Sequence, residues 1–509
     1  MHIFETILVL LLGAAILSMV ARRANVPYPT LLALGGVVVA LIPGTPTLDL
    51  PPNLILALFV APVLLDAAHD TSLRDLRENW RPVSSLVLVA VGLTTVTVAI
   101  VARFFLPDMP WAAAIAFGAL LAPPDAMAAL AVLRHVAPPH RIRTILEGES
   151  LLNDASSLLI YKLAVGAVAA DSFSMAGAMP AFALIIFGSV IAGWAIAKIV
   201  VRVIPPIGDA PTSIIIQFVT TFGVWIIAER LGLSGVITIV VFGLTIARRR
   251  TTSANSHVRF FSNATWEAVT FVLNVLAFTL IGLQVRPIIE AFPGYQRWHL
   301  LGIALIILGV VMVARLTWAI AYGFAPDRVW REHSNRTQSA KSRLVLGWSG
   351  MRGIVTLAAA LALPIGFPHR DFILLTAFTV VLGTLVVQGL TLRPLLLWLN
   401  FPVDNKVQEE LAMARGAALE AAMAELDRHE GAAAQRIKLE YREALSEARD
   451  GRDPRDSSDN ALRRQVVPAA RRALDGLRDN GQIGDEAYRT VEQELDLLEL
   501  SSRVPTDAS

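Results

Sequence analysis

Residues 144–168 read Thr-Ile-Leu-Glu-Gly-Glu-Ser-Leu-Leu-Asn-Asp-Ala-Ser-Ser-Leu-Leu-Ile-Tyr-Lys-Leu-Ala-Val-Gly-Ala-Val. As a helix this run is long enough to cross about 30 Å of bilayer hydrocarbon. Yet its first half carries Glu147, Glu149, Asn153 and Asp154. In water such groups would face solvent; in a bilayer they cannot face lipid, because an ionisable side chain at mid-membrane costs roughly 2.5–3.5 kcal/mol. The surroundings choose between the two settings. Of 509 residues, 55% are hydrophobic and only 17% charged, far more apolar sequence than one soluble core can bury. The chain belongs in a membrane, and the carboxylates of this run must face its interior.

Outward from that run, apolar segments of about 20 residues separated by charged or Pro/Gly-rich breaks count as spans. About thirteen are expected, near 3–21, 27–43, 51–69, 83–105, 111–134, 144–168, 178–203, 211–229, 233–247, 264–284, 299–323, 343–364 and 372–397. The first has Glu5 near its start and Arg22-Arg23 after it, the pattern of a retained helix rather than a cleaved signal peptide. Basic residues gather in alternate loops, with Arg286 and Arg297 the main exceptions in the other set: Arg22 and Arg23; Arg74, Arg77 and Arg81; Arg134, Arg141 and Arg143; Arg202; Arg248, Arg249, Arg250 and Arg259; Arg328, Arg331, Arg336, Lys341 and Arg343. The positive-inside rule makes those loops cytoplasmic, with the amino terminus outside and the carboxyl terminus inside. The net charge of +2 gives no case for a nucleic-acid partner, and the absence of cysteine excludes disulfides, thiolate nucleophiles and cysteine-ligated metals.

After Phe401-Pro402 the sequence becomes charged and alanine-rich, with Leu419, Met423 and Leu426 at helical spacing. Residues 1–400 thus read as a membrane domain and 401–509 as a helical cytoplasmic tail. The tail is either a solvated extension or a regulatory or dimer-contacting module. A break from Asp450 to Asp459 divides its helices, and Asp479-Asn480-Gly481 reads as a hairpin turn.

Four spans carry polar residues that a bilayer would reject. In the sixth, i to i+4 spacing sets Glu149 over Asn153 and Ser150 over Asp154. In the fifth, Pro123-Pro124 breaks the helix and leaves Asp125 at the start of its second half, as a helix cap or as an ion ligand. The twelfth contains Gly347-Trp348-Ser349-Gly350-Met351-Arg352-Gly353, a glycine-rich break around an arginine that needs an acidic partner, either Glu149 or Asp125. The third has Asp66 four residues after Pro62. Carboxylate, amide, hydroxyl and carbonyl oxygens suit a small alkali cation, and protons compete for the same carboxylates. Broken helices in two halves of a chain point to a transporter with its site near the midplane. Arg315, Asn274 and Glu229 read as interhelical hydrogen-bonding residues. Lys162 reads as snorkelling outward. His69 reads as a solvated helix-end histidine or a pH sensor, and His135 and His140 show no ligand pattern.

Leu146 to Asp154, Pro124 to Ala128 (Pro-Asp-Ala-Met-Ala) and Gly347 to Gly353 resemble the sodium/proton exchanger branch of the monovalent cation:proton antiporters, including NhaP-type bacterial members. The resemblance extends through Phe59 to Arg81 and Ala228 to Arg250, and stops at the tail. It implies an all-α polytopic fold of thirteen spans with inverted repeats and crossed broken helices (NhaA/NhaP-like), a mobile core and a dimerisation domain. It also implies that Asp154 binds cation and proton, helped by Asn153, Ser150, Asp66 and the backbone at Pro124. Sodium would sit on Asp154, Asp66 and Ser150, and Glu149 and Arg352 would form a structural ion pair. Asparagine before the aspartate goes with electroneutral exchange of one cation for one proton. Two departures bear on selectivity: Pro124 replaces a threonine common in the family, and Asp66 a glutamate.

The expectation is therefore a secondary antiporter in a bacterial plasma membrane. It would exchange sodium, or lithium or potassium, for protons by alternating access, as a homodimer among membrane lipids, with no cofactor. A potassium/proton antiporter and a cation channel are the alternatives. The chain is not expected to be an enzyme, since neither a metal-ligand cluster nor a Ser/His/Asp arrangement is evident.

Overall fold

Without water, a membrane segment must satisfy its backbone N–H and C=O groups internally, so each apolar run should close into a helix. The computed structural model describes all residues except 1, 25, 44–50, 134–135, 137, 170–174, 205–206, 248–255, 291, 293, 323–335, 403, 450–452, 454–457, 481, 483–484 and 503–509. Arg134, His135, Arg248, Arg249, Arg250, Arg328 and Arg331 therefore lie outside the described residues, as does most of the expected tail break from Asp450.

Every expected span coincides with helix. In chain order they are His2–Ala24; Tyr28–Ala40; Pro52–Ile55 continuing through a π-helical stretch Leu56–Val60 into Ala61–Asp70; and Trp80–Ser84 continuing through a second π-helical stretch Ser85–Ala90 into Val91–Phe105. The fifth is split into Trp111–Leu121 and Ala126–Leu133. There follow His140–Ala169, Met175–Val203, Ala210–Arg230, Gly235–Ala247, Ser256–Leu283 and Gly294–Ala321. The twelfth is split into Arg336–Trp348 and Ile354–Leu361, and Arg370–Leu399 closes the set. Seven described helices are long and apolar enough to cross a membrane whole; Tyr28–Ala40, Leu56–His69, Trp111–Leu121 and Gly235–Ala247 are shorter apolar helices. No strand occurs among the described residues. The chain is a polytopic all-α membrane protein.

Small residues let these helices touch where apolar side chains gain nothing from leaving lipid. A Cβ at Gly36 of the second span would strike the backbone of Thr279 and Gly282 in the tenth, and one at Gly282 would strike Ala33, Gly36 and Val37. Gly118 of the fifth span meets Thr95 of the fourth in the same way. Large apolar side chains turn outward instead, among them Leu12, Phe187, Ile191, Trp194 and Val219. The eighth span starts on an Asp209 cap, whose carboxylate accepts from the Thr212 N–H at 2.9 Å. Hydrogen bonding from the Thr212 side chain, and then from this N–H, holds the Asp209 carboxyl below the usual carboxylate range.

The chain divides after Pro402, and residues Met1–Pro402 and Val403–Ser509 each form a compact unit. Within the second, Lys406–Leu426 pairs with Ala432–Arg449 and Ser458–Asp479 with Asp485–Ser502. Leu419, Met423 and Leu426 are half-buried in the first hairpin. In the second, Arg471 binds Asp496 and Glu499, and the Tyr488 hydroxyl donates to Asp475 at 2.8 Å.

Candidate ion-binding site

The site begins with two breaks. Pro123 and Pro124 cannot donate backbone hydrogen bonds, so the fifth span opens over Ala122–Asp125. Asp125 then caps the second half, its Oδ1 accepting from the Met127 N–H at 2.9 Å. The twelfth span opens over Ser349–Gly353, where glycines remove the Cβ atoms that would obstruct a neighbour. The two openings cross. The Asp125 N–H donates to the Met351 carbonyl at 2.6 Å, and the Asp125 carboxylate fills the space that a Cβ on Gly353 would need.

Arg352 is fully buried at this crossing. Its Nε donates to the Leu121 carbonyl at 3.0 Å, one Nη to Ala122 O at 3.3 Å and the other to Gly350 O, while its backbone N–H donates to Thr384 Oγ1 at 3.0 Å. The guanidinium thus caps the carbonyl end of the half-helix Trp111–Leu121, where orphan C=O groups and the negative dipole end gather.

That arrangement corrects one expectation. Glu149 does not pair with Arg352. It is bidentate to Arg315 of the eleventh span, at 2.5 and 2.8 Å, and Arg315 also donates to the Leu346 carbonyl at 3.2 and 3.1 Å. Both side chains are almost wholly buried, at 1% and 3% exposure. The reason is donor supply: Arg352 spends its fork on main-chain carbonyls of the crossing, leaving Arg315 to neutralise Glu149. The two arginines flank Gly350, where a Cβ would strike both. The signal for Arg315 was present in the sequence, since a lone arginine in an apolar span needs a carboxylate as much as Arg352 does. Its expected interhelical hydrogen bond exists as well, to Leu346.

The sixth span brings Asn153 and Asp154 to the crossing. The Asn153 amide donates to the Pro124 carbonyl at 3.0 Å, joining two of the expected site residues directly. Asn153 Oδ1 is buried with no protein partner, an acceptor left over for a ligand. Asp154, the next residue along the sixth span, is 8% exposed. Ser150, one turn before Asp154, is half-buried. Asp66 is also half-buried, on a third span that packs against the sixth. Asp154, Asn153, Pro124 and Asp125 thus gather at the crossing; Asp66 stands on the adjoining helix and Glu149 one turn away in its own ion pair.

Among the remaining polar residues, Lys162 and His140 each meet an acidic partner. Lys162 pairs with Glu229 at 2.9 Å, linking the sixth and eighth spans at a half-exposed position. His140 lies 3.2 Å from Asp75. His69 is exposed, and Asn274 is buried in the tenth span. Among the described residues no group of three or more His, Cys, Asp or Glu side chains could hold a metal ion.

Two interrupted helices crossing beside buried carboxylates, inside an all-helical membrane domain, define an ion-coupled transporter. The chain belongs to the sodium/hydrogen exchanger family, whose transmembrane profile matches residues 7–398. It is 31% identical to a "Sodium, potassium, lithium and rubidium/H(+) antiporter" of Bacillus pumilus, over 78% of this chain and 61% of that protein. It is 29% identical to an uncharacterised Na(+)/H(+) exchanger of Mycobacterium tuberculosis, over 99% of this chain and 98% of the relative. The low-affinity Na(+)/H(+) antiporter NhaS1 of Synechocystis is 29% identical over 79% and 76%. Among solved structures, the sodium proton antiporter MjNhaP1 from Methanocaldococcus jannaschii superposes with a TM-score of 0.60 at 16% identity, covering 78% of this chain and 99% of that one. The likeness to MjNhaP1 is one of fold.

Proposed function

We propose that this chain exchanges sodium, and also lithium or potassium, for protons across a bacterial plasma membrane by alternating access. The observation that carries the reading is the Asn153 to Pro124 hydrogen bond, which sets the Asp154 helix against the broken fifth span and beside Asp125. A cation beside these carboxylates and a proton on one of them each cancel charge, and each excludes the other. Only a neutralised site passes cheaply through an apolar interior. In this reading Asp154 binds cation or proton, and Ser150, the free Asn153 oxygen, the Pro124 carbonyl and Asp66 complete the oxygen set. Asp125 contributes the second carboxylate, and the Glu149–Arg315 pair braces the helices. The chemistry requires no bound cofactor. The amino terminus lies outside, residues 401–509 form a cytoplasmic regulatory tail, and two copies associate in the lipid.

The Bacillus pumilus relative is named for four alkali cations, so each should be tried here. A potassium-preferring exchanger is the second reading, favoured by the short aspartate at 66, which leaves a wider site. The test is cation-induced dequenching of a pH-sensitive dye in proteoliposomes, for wild type and Asp154→Asn. Dequenching that disappears in the variant supports exchange at this site, and the order of half-saturating concentrations ranks the cations. No response from folded wild type to sodium, lithium or potassium would sink the proposal.

A further inference from the structure

Tyr161 stands seven residues beyond Asp154, two turns along the sixth span and on the same face. It is 7% exposed, and its hydroxyl donates to the main-chain oxygen of Ala359 at 2.8 Å. Ala359 lies in the last turn of the half-helix Ile354–Leu361, where the final four carbonyls have no partner within the helix. Each of these carbonyls is nonetheless occupied. The Ala362 N–H donates to Ala358 O, the Leu363 N–H to Ala360 O, and an Arg370 Nη to Leu361 O at 3.3 Å, leaving Ala359 O to Tyr161. Arg370 Nε also donates to Leu363 O, at 3.1 Å.

The half-helix is thus held at both ends. Its amino end begins at Gly353, against the Asp125 carboxylate; its carboxyl end is tied by Tyr161 to the helix that bears Asp154. Between them Thr356, Leu357, Ala358, Ala359 and Ala360 are buried, so packing holds the middle of the rod. In its last turn Ala358, Ala359 and Ala360 present only methyl groups, and there the directional bonds help to set how far the rod lies along its axis. That position matters because the amino end carries partial positive charge. Moving it alters the field at the carboxylates, and with it the preference for cation over proton.

We infer that Tyr161 is a positioning residue for the ion site: its hydrogen bond to Ala359 sets the half-helix Ile354–Leu361 against the sixth span and so fixes the distance between Asp154 and the crossing. The inference rests on Asp154 being the exchange site. Lys162, the next residue, turns away to Glu229 and serves as a neighbouring control.

The experiment measures sodium-driven exchange in proteoliposomes for wild type, Tyr161→Phe, Arg370→Gln and Lys162→Met, separating half-saturating sodium from maximal rate. Tyr161→Phe and Arg370→Gln, which loosen the same carboxyl end, are expected to raise half-saturating sodium by about fivefold or more with the maximal rate within about twofold, and Lys162→Met to leave both unchanged. A lower rate at unchanged half-saturation, together with a lower melting temperature, marks a merely structural bond and overturns the inference. Wild-type half-saturation in Tyr161→Phe does so too. Should Tyr161→Phe not fold, Arg370→Gln decides in the same terms. Absence of exchange in wild type overturns the site assignment and this inference together; exchange in wild type with an unaltered Tyr161→Phe overturns this inference alone.

Discussion

At the scale of single residues, the crossing contains two buried arginines and a choice of partner. Glu149 pairs with Arg315, and Arg352 serves carbonyls. Removing one member of a buried pair strands a charge, so Arg315→Met should cost about 3–5 kcal/mol in stability. Adding Glu149→Gln to Arg315→Met should recover part of that loss, through a coupling of about 0.5–3 kcal/mol. Glu149→Gln combined with Arg352→Met should show the smaller coupling, because Arg352 loses mainly its carbonyl bonds. Thermal unfolding in detergent across the two double-mutant cycles distinguishes them, and a stronger coupling to Arg352 would contradict the pairing. This preference could not be read from the sequence. Both arginines stand alone in apolar surroundings, both need neutralising, and only the three-dimensional meeting of the sixth, eleventh and twelfth spans decides which of them reaches Glu149.

Elements were far more legible. Spans announce themselves because lipid demands a sustained apolar run, and the two breaks announce themselves because Pro123-Pro124 removes two backbone donors in a row and the clustered glycines around Arg352 weaken a regular helix. What local pattern does not encode is how one break lies across the other. The Asp125 to Met351 bond and the missing side chain of Gly353 belong to that tertiary fit. Gly353→Ala should therefore displace the Asp125 carboxylate and suppress exchange, whereas Gly302→Ala, with open space around it, should leave transport unchanged. Gly282→Val should force the second and tenth spans apart and lower the melting temperature. A silent Gly353→Ala would mean that the crossing is looser than its geometry indicates. The π-helical stretches at Leu56–Val60 and Ser85–Ala90 left no mark in the hydropathy pattern, because one extra residue per turn changes registration and not composition.

For the whole molecule, a single site shared by cation and proton makes a definite demand on pH. On the acid side, protons occupy the carboxylates, and half-saturating sodium should rise by up to about tenfold for each unit of falling pH while the maximal rate holds. A half-saturation independent of pH would require separate sites. The chain ending at Pro402, a compact unit in itself, should still exchange, with any change confined to its regulation. The fit at Gly353 reaches further, into how such a chain can be recombined. Because the fifth span supplies the carboxylate and the twelfth the space for it, neither break is a self-sufficient cassette. A hybrid receiving only one of them from a relative whose packing differs should be inactive, and transplanting both together should restore it. The two segments, more than two hundred residues apart along the chain, should work only as a matched pair.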